Sequence, residues 1–174
     1  MYASGSMRNG NLLVGWGMGG GVWDASKMPA TVRASLDADG HFTVSSGTNK
    51  IGTSTYTIMT QITAESMGLP IEAVTFVLGD TTLPVSPLQG GSWTAASVGN
   101  SVVEACTALG EALLKKAKKM DHQAFKDAKI DDVQFANSQM RLRTDATQAV
   151  VLRDLIQVNG ERVGDLPITI DKMM

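Results

Sequence analysis

Residues 30–46 read ATVRASLDADGHFTVSS, and residues 47–70 continue GTNKIGTSTYTIMTQITAESMGLP. The first half alternates, with Ala30, Val32, Ala34 and Leu36 standing against Thr31, Arg33, Ser35 and Asp37. A period of two marks a half-buried strand. Asp39-Gly40 separates this run from Phe42-Thr43-Val44. An Asp-Gly pair between alternating runs predicts a hairpin. The second half changes period. Ile58, Met59, Ile62 and Ser66 fall at helical spacing, with Gln61 and Glu65 on another face, and Gly68 and Pro70 follow as a stop signal. A hairpin that feeds a helix across a glycine loop predicts the α+β class.

Outward from this stretch, residues 73–78 are almost wholly apolar and predict a strand buried on both faces or nearly so. Gly79-Asp80-Thr81-Thr82 ends that strand, and a loop runs through Pro84 and Pro87 to Gly90-Gly91-Ser92. A second helix is predicted from near residues 94–97 to about Met120, with Val98, Val102, Ala105, Cys106, Leu109, Ala112 and Leu113 on one stripe. Lys115, Lys116, Lys118 and Lys119 suit the negative end of its dipole and read as a solvated cap. Upstream, Leu12-Leu13-Val14 leads into the run Gly15 to Gly21. After Asp121 the composition shifts. Residues 133–142 predict one or two short strands turning at Asn137-Ser138, and 150–156 a short strand or a helical turn. Asn159-Gly160 reads as a turn, and 168–170 is apolar again. The expected architecture is α+β: a mixed sheet holding the 30–37/41–46 hairpin and the 73–78 strand, two helices packed on one face, and a small C-terminal α+β appendage over 121–174.

The chain has 174 residues and a formal net charge of −2, with 43% hydrophobic and 18% charged residues. These values fit a globular chain of one domain, or one domain with an appendage, and argue against a nucleic-acid binder. A single cysteine, Cys106, excludes an intrachain disulfide, a Cys-ligated zinc site and an iron–sulfur cluster held by this chain alone. Two histidines leave little for a His-rich metal site, and the expected metal set is none. No apolar run approaches the ~20 residues of a membrane-spanning helix. The first residues lack the apolar core of an export signal, and the compartment stays open between bacterial cytoplasm and periplasm.

Chemistry concentrates in three glycine clusters. Gly15-Trp16-Gly17-Met18-Gly19-Gly20 matches the dinucleotide fingerprint G-x-G-x-x-G. However, residues 22–29 carry no helical stripe and end in Pro29, so the Rossmann reading is rejected. A glycine-rich strand or bulge, where another backbone or a ligand passes closely, is expected instead. Gly47 to Thr57 takes a strand end into the first helix, with Gly52, Thr53 and Ser54 at the turn. Free N–H groups and a positive dipole end there can hold an anion, while the ordinary reading is a helix cap by Thr53 or Ser54. Gly90 to Gly99 opens the second helix in the same way, with Ser92 and Thr94 as natural caps or phosphate donors. Two such helix starts favour one extended polyanion lying across both.

The segments, in this order, resemble the large, molybdenum-binding subunit of the xanthine dehydrogenase / aldehyde oxidase family, in its bacterial aldehyde and isoquinoline oxidoreductase branch. The resemblance rests on Gly15-Trp16-Gly17-Met18 with Trp23, the run Gly47 to Thr57, Glu65-Ser66-Met67-Gly68-Leu69-Pro70, Val74 to Leu78 with Gly79-Asp80-Thr81, and the run Gly90 to Gly99. It covers roughly residues 12–114. It implies a molybdopterin-binding-like α+β domain over 12–120 and a smaller, truncated appendage over 121–174. It also implies a molybdopterin dinucleotide cofactor, of the cytosine form in bacteria, held by Gly52, Thr53, Ser54, Gly91, Ser92, Thr94, Ala95, Ser97 and Gly99. The implied reaction is oxidative hydroxylation of an aldehyde or N-heterocycle, with electrons leaving through iron–sulfur and FAD subunits or domains.

This sequence departs from the family pattern at two places in the first loop. Lys50 stands where an acidic residue is usual, and Ser54 where a second glycine is usual. The glutamate that serves as general base in the family has no counterpart here. Glu65, Glu104 and Glu111 match no such motif, and the catalytic set is none. General-base catalysis supplies about 10²–10⁴-fold, so the chain reads as an inactive piece of an enzyme that needs the remainder of its large subunit. Asp80 reads as a turn former. The alternative is a non-enzymatic domain that binds a partner protein through surfaces buried in the full subunit. Trp16, Trp23 and Trp93, all expected to be exposed in glycine loops, suit such an edge.

Overall fold

The computed structural model of the chain describes residues 3, 5–24, 26–37, 39–120, 122–158, 161–162 and 166–168. The central sheet begins with the expected hairpin: β3 (Arg33–Leu36) pairs antiparallel with β4 (Phe42–Ser45), in the register Ala34↔Val44 and Leu36↔Phe42. Its turn is longer than a two-residue Asp-Gly loop. The Asp37 carboxylate accepts the N–H groups of Asp39 and His41, both at 2.9 Å, and Gly40 takes a φ of 86°. Upstream, β1 (Met7–Asn9) and β2 (Leu12–Val14) form a separate two-stranded ribbon.

From β4 the chain passes into helix α1 (Thr55–Met67) and returns as β5 (Val74–Val77), which lies parallel to β4 with Phe42↔Val74 and Val44↔Phe76. Gly68 ends α1 in the left-handed region, and the N–H of Leu69 bonds back to Ala64 O at 2.9 Å. That is the stop expected of Gly68 and Pro70. Helix α2 (Thr94–Lys119) follows the long loop. The chain's last strand in this sheet, β11 (Leu166–Ile168), pairs antiparallel with β3 and completes the order β11-β3-β4-β5.

Ala34, Leu36, Phe42, Val44, Val74 and Phe76 share one buried sheet face, as period-two patterning requires. The α1 helix packs on β5, α2 on β3, and the helices on each other. Buried Met59, Met67, Val98, Val102 and Leu109 fill the layer between them. The expectation that residues 73–78 are buried on both faces is not met, since Thr75 and Val77 are exposed. β5 is an edge strand, and both helices cover the same sheet face.

Residues 122–156 add a second sheet, β6 (Val133–Ala136), β7 (Gln139–Leu142) and β8 (Ala149–Val151), antiparallel throughout. Asn137 and Ser138 make the expected turn with φ values of 53° and 58°, and a single 3₁₀ turn (Leu152–Leu155) follows β8. Phe125, Val133, Met140, Leu152 and Leu155 join the same buried cluster as the helices. A short ribbon pairs β9 (Gln157–Val158) with β10 (Glu161–Arg162). The expected turn at Asn159-Gly160 and the apolar run past Ile168 lie outside the described residues.

Candidate functional site

Because β4 and β5 are adjacent and parallel, their C-terminal ends lie at the same end of the sheet. Each end leads through a glycine loop into a helix N-terminus, β4 into α1 and β5 into α2. In open α/β sheets the carboxyl ends of parallel strands are where ligands bind. The topology thus supplies what sequence order alone does not, a reason for the two loops to be neighbours.

The loops are laced together. Ser46 N–H bonds to Val77 O at 3.1 Å, Gly47 N–H to Pro84 O at 2.7 Å, and Gly79 N–H to Thr48 O at 3.0 Å. The buried Thr48 hydroxyl donates to Gln89 Oε1 at 2.9 Å and ties the first loop to the residue before Gly90. A Cβ on Gly47 would sit 2.9 Å from Pro84 O, so the approach leaves no room for a side chain.

Gly52, Thr53 and Ser54 are exposed at the start of α1. Neither Thr53 nor Ser54 caps the helix as expected. Ser54 occupies the N-cap position, but its φ is 61° and its side chain makes no cap bond. The left-handed backbone turns the hydroxyl away from the geometry of a serine cap, which needs extended φ/ψ. The first bond into the helix is Ile58 N–H to Ser54 O at 3.0 Å, so the three N–H groups before it precede the helical ladder.

At the second loop, Gly91 and Ser92 both take left-handed φ values, 52° and 58°. The N-cap position falls on Trp93, again with no side-chain cap bond, so the expected capping by Ser92 or Thr94 does not occur. Trp93 is half-buried, unlike the expected exposed tryptophan. Its indole N–H donates to Leu88 O at 2.7 Å, and its ring lies over Gly91, where a Cβ would stand 2.3 Å from the ring. Trp16 and Trp23 are exposed as expected, at 84% and 77%.

The remaining predicted residues divide. Gly91, Ser92 and Ala95 are exposed, and Thr94 is half-buried. Ser97 is buried, and its Oγ accepts the Met28 N–H at 2.9 Å. Gly99 is buried against Ile62 of α1, whose Cδ1 would lie 3.0 Å from a Cβ there. Ser97 and Gly99 therefore serve packing contacts of the helix start, one to the preceding chain and one to α1.

Two further groups escaped sequence reasoning. Gln89 Nε2 and Ser86 Oγ are buried and have no hydrogen-bond partner among the described residues. Buried polar groups are nearly always paired, and these two atoms keep unused hydrogen-bonding capacity in the loop that leads into α2. The signal in sequence was faint: polar Ser86 and Gln89 amid Val85, Pro87 and Leu88. Asp80 makes the expected turn. Its Oδ1 accepts the N–H and the hydroxyl of Thr82, both at 2.8 Å, which holds its carboxyl below the usual range. Among the described residues, no cluster of three His, Cys, Asp or Glu is placed to hold a metal ion, and no helix is long and apolar enough to cross a membrane.

Comparison with known proteins meets this geometry. Residues 3–166 match the family model of the molybdopterin cofactor-binding domain. The aldehyde oxidoreductase molybdenum-binding subunits PaoC of Escherichia coli O157:H7 and strain K12 are each 36% identical over 127 residues, which is 72% of this chain and 17% of theirs. The chain thus spans about a sixth of the length of these curated relatives. Among solved structures, quinoline 2-oxidoreductase from Pseudomonas putida 86 superposes with a TM-score of 0.64 at 18% identity, over 75% of this chain and 16% of that one. Reconstituted CO dehydrogenase from Oligotropha carboxidovorans gives 0.62 at 18% identity, over 74% and 16%. These two likenesses concern the fold. The family match runs from the first ribbon to the last strand of the central sheet and takes in both glycine loops, and the chain belongs to the molybdopterin cofactor-binding domain family.

Proposed function

We propose that the chain supplies part of the molybdopterin dinucleotide cradle in a molybdenum hydroxylase large subunit. The enzyme would oxidise an aldehyde or an N-heterocycle by hydroxylation. In this reading residues 12–120 carry the cradle, and residues 122–156 brace the helices behind it. The observation that supports the proposal is that the loops leading into two uncapped helix N-termini are joined by the Thr48–Gln89 hydrogen bond.

Backbone N–H groups at Gly52, Thr53 and Ser54 and at Ser92, Thr94 and Ala95 would hold pyrophosphate oxygens, aided by the positive ends of both helix dipoles. The hydroxyls of Ser92 and Thr94 would add donors. Lys50, exposed on the first loop, adds a cation where the family pattern is acidic. Ser97 and Gly99 keep the second helix start in position. When bound, the cofactor supplies the oxidation–reduction chemistry, and this chain's residues bind and orient it. The cytosine form is the proposed one, and partners are the rest of the large subunit with its iron–sulfur and FAD components.

The test is calorimetric titration of the chain with cytidine 5′-diphosphate. The native chain should bind, and the Ser92→Val/Thr94→Val double variant should bind at least about tenfold more weakly, since a hydrogen bond to a charged group contributes about 1.5–3 kcal/mol. Absence of binding to the native chain counts against the site. Unchanged affinity in the double variant assigns both hydroxyls to surface roles.

A further inference from the structure

A cleft opens where the chain leading into β3 meets the loop that follows β5. Pro29, Thr31 and Arg33 alternate with Ala30, Val32 and Ala34. The second set is buried under the helices, so the first set lies on the other face of the extended chain. Leu83, Pro84 and Val85 form the opposite wall. The cleft has a volume of about 640 Å³, within the ~300–1,000 Å³ of small-molecule sites. Both walls are fixed by hydrogen bonds. Thr31 N–H bonds to Val85 O at 2.8 Å, Gly47 N–H to Pro84 O at 2.7 Å and Leu83 N–H to Asp80 O at 3.3 Å. The Ser46 hydroxyl donates to Thr31 O at 2.8 Å, and the Ser101 hydroxyl to Ala30 O at 3.0 Å. Walls set before binding lower the ordering cost of taking a ligand.

The lining carries the stronger signal. Pro29, Leu83, Pro84 and Val85 are apolar, and Val85 is 79% exposed although it stands in a wall. No Asp or Glu lines the cleft, and Arg33 is its one charged residue. Among the described residues the Arg33 guanidinium forms no ion pair. The nearby Asp80 carboxylate is engaged by the N–H and hydroxyl of Thr82. A guanidinium without a carboxylate, set beside apolar walls, complements an apolar body that carries one carboxylate. Its planar fork takes both oxygens of such a group through parallel N–H···O bonds. A neutral ligand leaves the cation unmatched, and a diphosphate meets one cation and apolar surface.

We propose that this cleft binds a small apolar monocarboxylate, with Arg33 holding the carboxylate and Pro29, Leu83, Pro84 and Val85 holding the apolar body. The cleft stands at the same end of the sheet as the two glycine loops, since its Pro84 is bonded to Gly47 of the first loop. On the reading of the chain as part of a molybdenum hydroxylase, that position gives the ligand a place in the reaction. Hydroxylation of an aldehyde RCHO with the oxygen of water gives RCOO⁻, three protons and two electrons, and the electrons leave through the iron–sulfur and FAD components. The same hydroxylation of an N-heterocycle gives a neutral lactam. A cleft matched to a carboxylate is a product site for the first reaction and not for the second, and it favours an aldehyde as substrate.

The role as product site rests on the proposed function, but the test of the cleft does not depend on cofactor binding. Backbone amide resonances of the full chain are followed during titration with sodium benzoate, and separately with its neutral isostere benzamide and the neutral lactam 2-quinolone. Benzoate should shift the amides of Thr31, Arg33, Leu83 and Val85 along one saturating curve. Both neutral compounds should bind at least about tenfold more weakly, and Arg33→Gln should weaken benzoate by the same factor, as loss of a charge-assisted hydrogen bond does. The Arg33 side chain is exposed, so the variant should keep the melting temperature of the native chain. Absence of saturation by benzoate overturns the proposal, and so do equal affinity for benzamide, unchanged affinity in Arg33→Gln, or benzoate shifts confined to the two glycine loops. Benzoate binding by a chain that does not bind cytidine 5′-diphosphate would retain the cleft and remove the cradle.

Discussion

Glycine does opposite things at the two ends of this molecule. Where α1 meets the C-terminal sheet, each glycine is required by a contact. A Cβ on Gly68 would lie 2.3 Å from the Phe135 backbone, and Gly68 O accepts the Ser138 N–H at 2.9 Å. Gly110 of α2 receives the Phe135 ring, which would stand 2.9 Å from a Cβ there. In the run Gly15 to Gly21, a Cβ on any of the five glycines would touch nothing. At the first place glycine is explained by what surrounds it, and at the second no contact within the described residues requires it. The number of glycines in a segment therefore says little, and what surrounds each one says a great deal.

The widest test of this contrast is Gly68→Ala. It combines a left-handed φ of 57° with a collision against backbone that cannot rotate aside. Urea unfolding should show a loss of about 3 kcal/mol. Gly91→Ala comes next, with an expected loss of about 2 kcal/mol. Its Cβ would displace the Trp93 ring and break the indole bond to Leu88, so tryptophan emission should shift to longer wavelength. Ser54→Gly runs the other way. A non-glycine residue at φ 61° costs about 1 kcal/mol, and the glycine variant should be more stable by about that amount while approaching the family pattern. Gly19→Ala should be smallest, within about 0.5 kcal/mol, because a Cβ there meets nothing. A large loss there would mean that this segment packs on its own chain.

The scaffold was legible because its signals are local. Period two in Ala30 to Leu36, the switch at Thr55 and the stop at Gly68 each name an element without reference to the rest of the chain, and the elements formed there. The two-faced burial expected of residues 73–78 failed because composition does not reveal which sheet position a strand takes. Val74, Phe76 and Thr75 read alike whether β5 is central or at the edge. At the site, the sequence named both loops but not the parallel pairing of β4 with β5 that makes them neighbours. Capping was expected from residue type at Ser54, Ser92 and Thr94, whereas capping depends on φ, and φ at Ser54 and Ser92 is left-handed. Ser86 and Gln89 were unreadable because an orphaned polar atom is defined only by what fails to surround it.

The central claim is that the two glycine loops form a single anion site. It is tested most directly by following backbone amide resonances during titration of the full chain with cytidine 5′-diphosphate. The amides of Gly52, Thr53 and Ser54 and those of Gly91, Ser92, Thr94 and Ala95 should shift together, along one binding curve with one dissociation constant. Shifts confined to one loop, or two loops titrating with different constants, would contradict it.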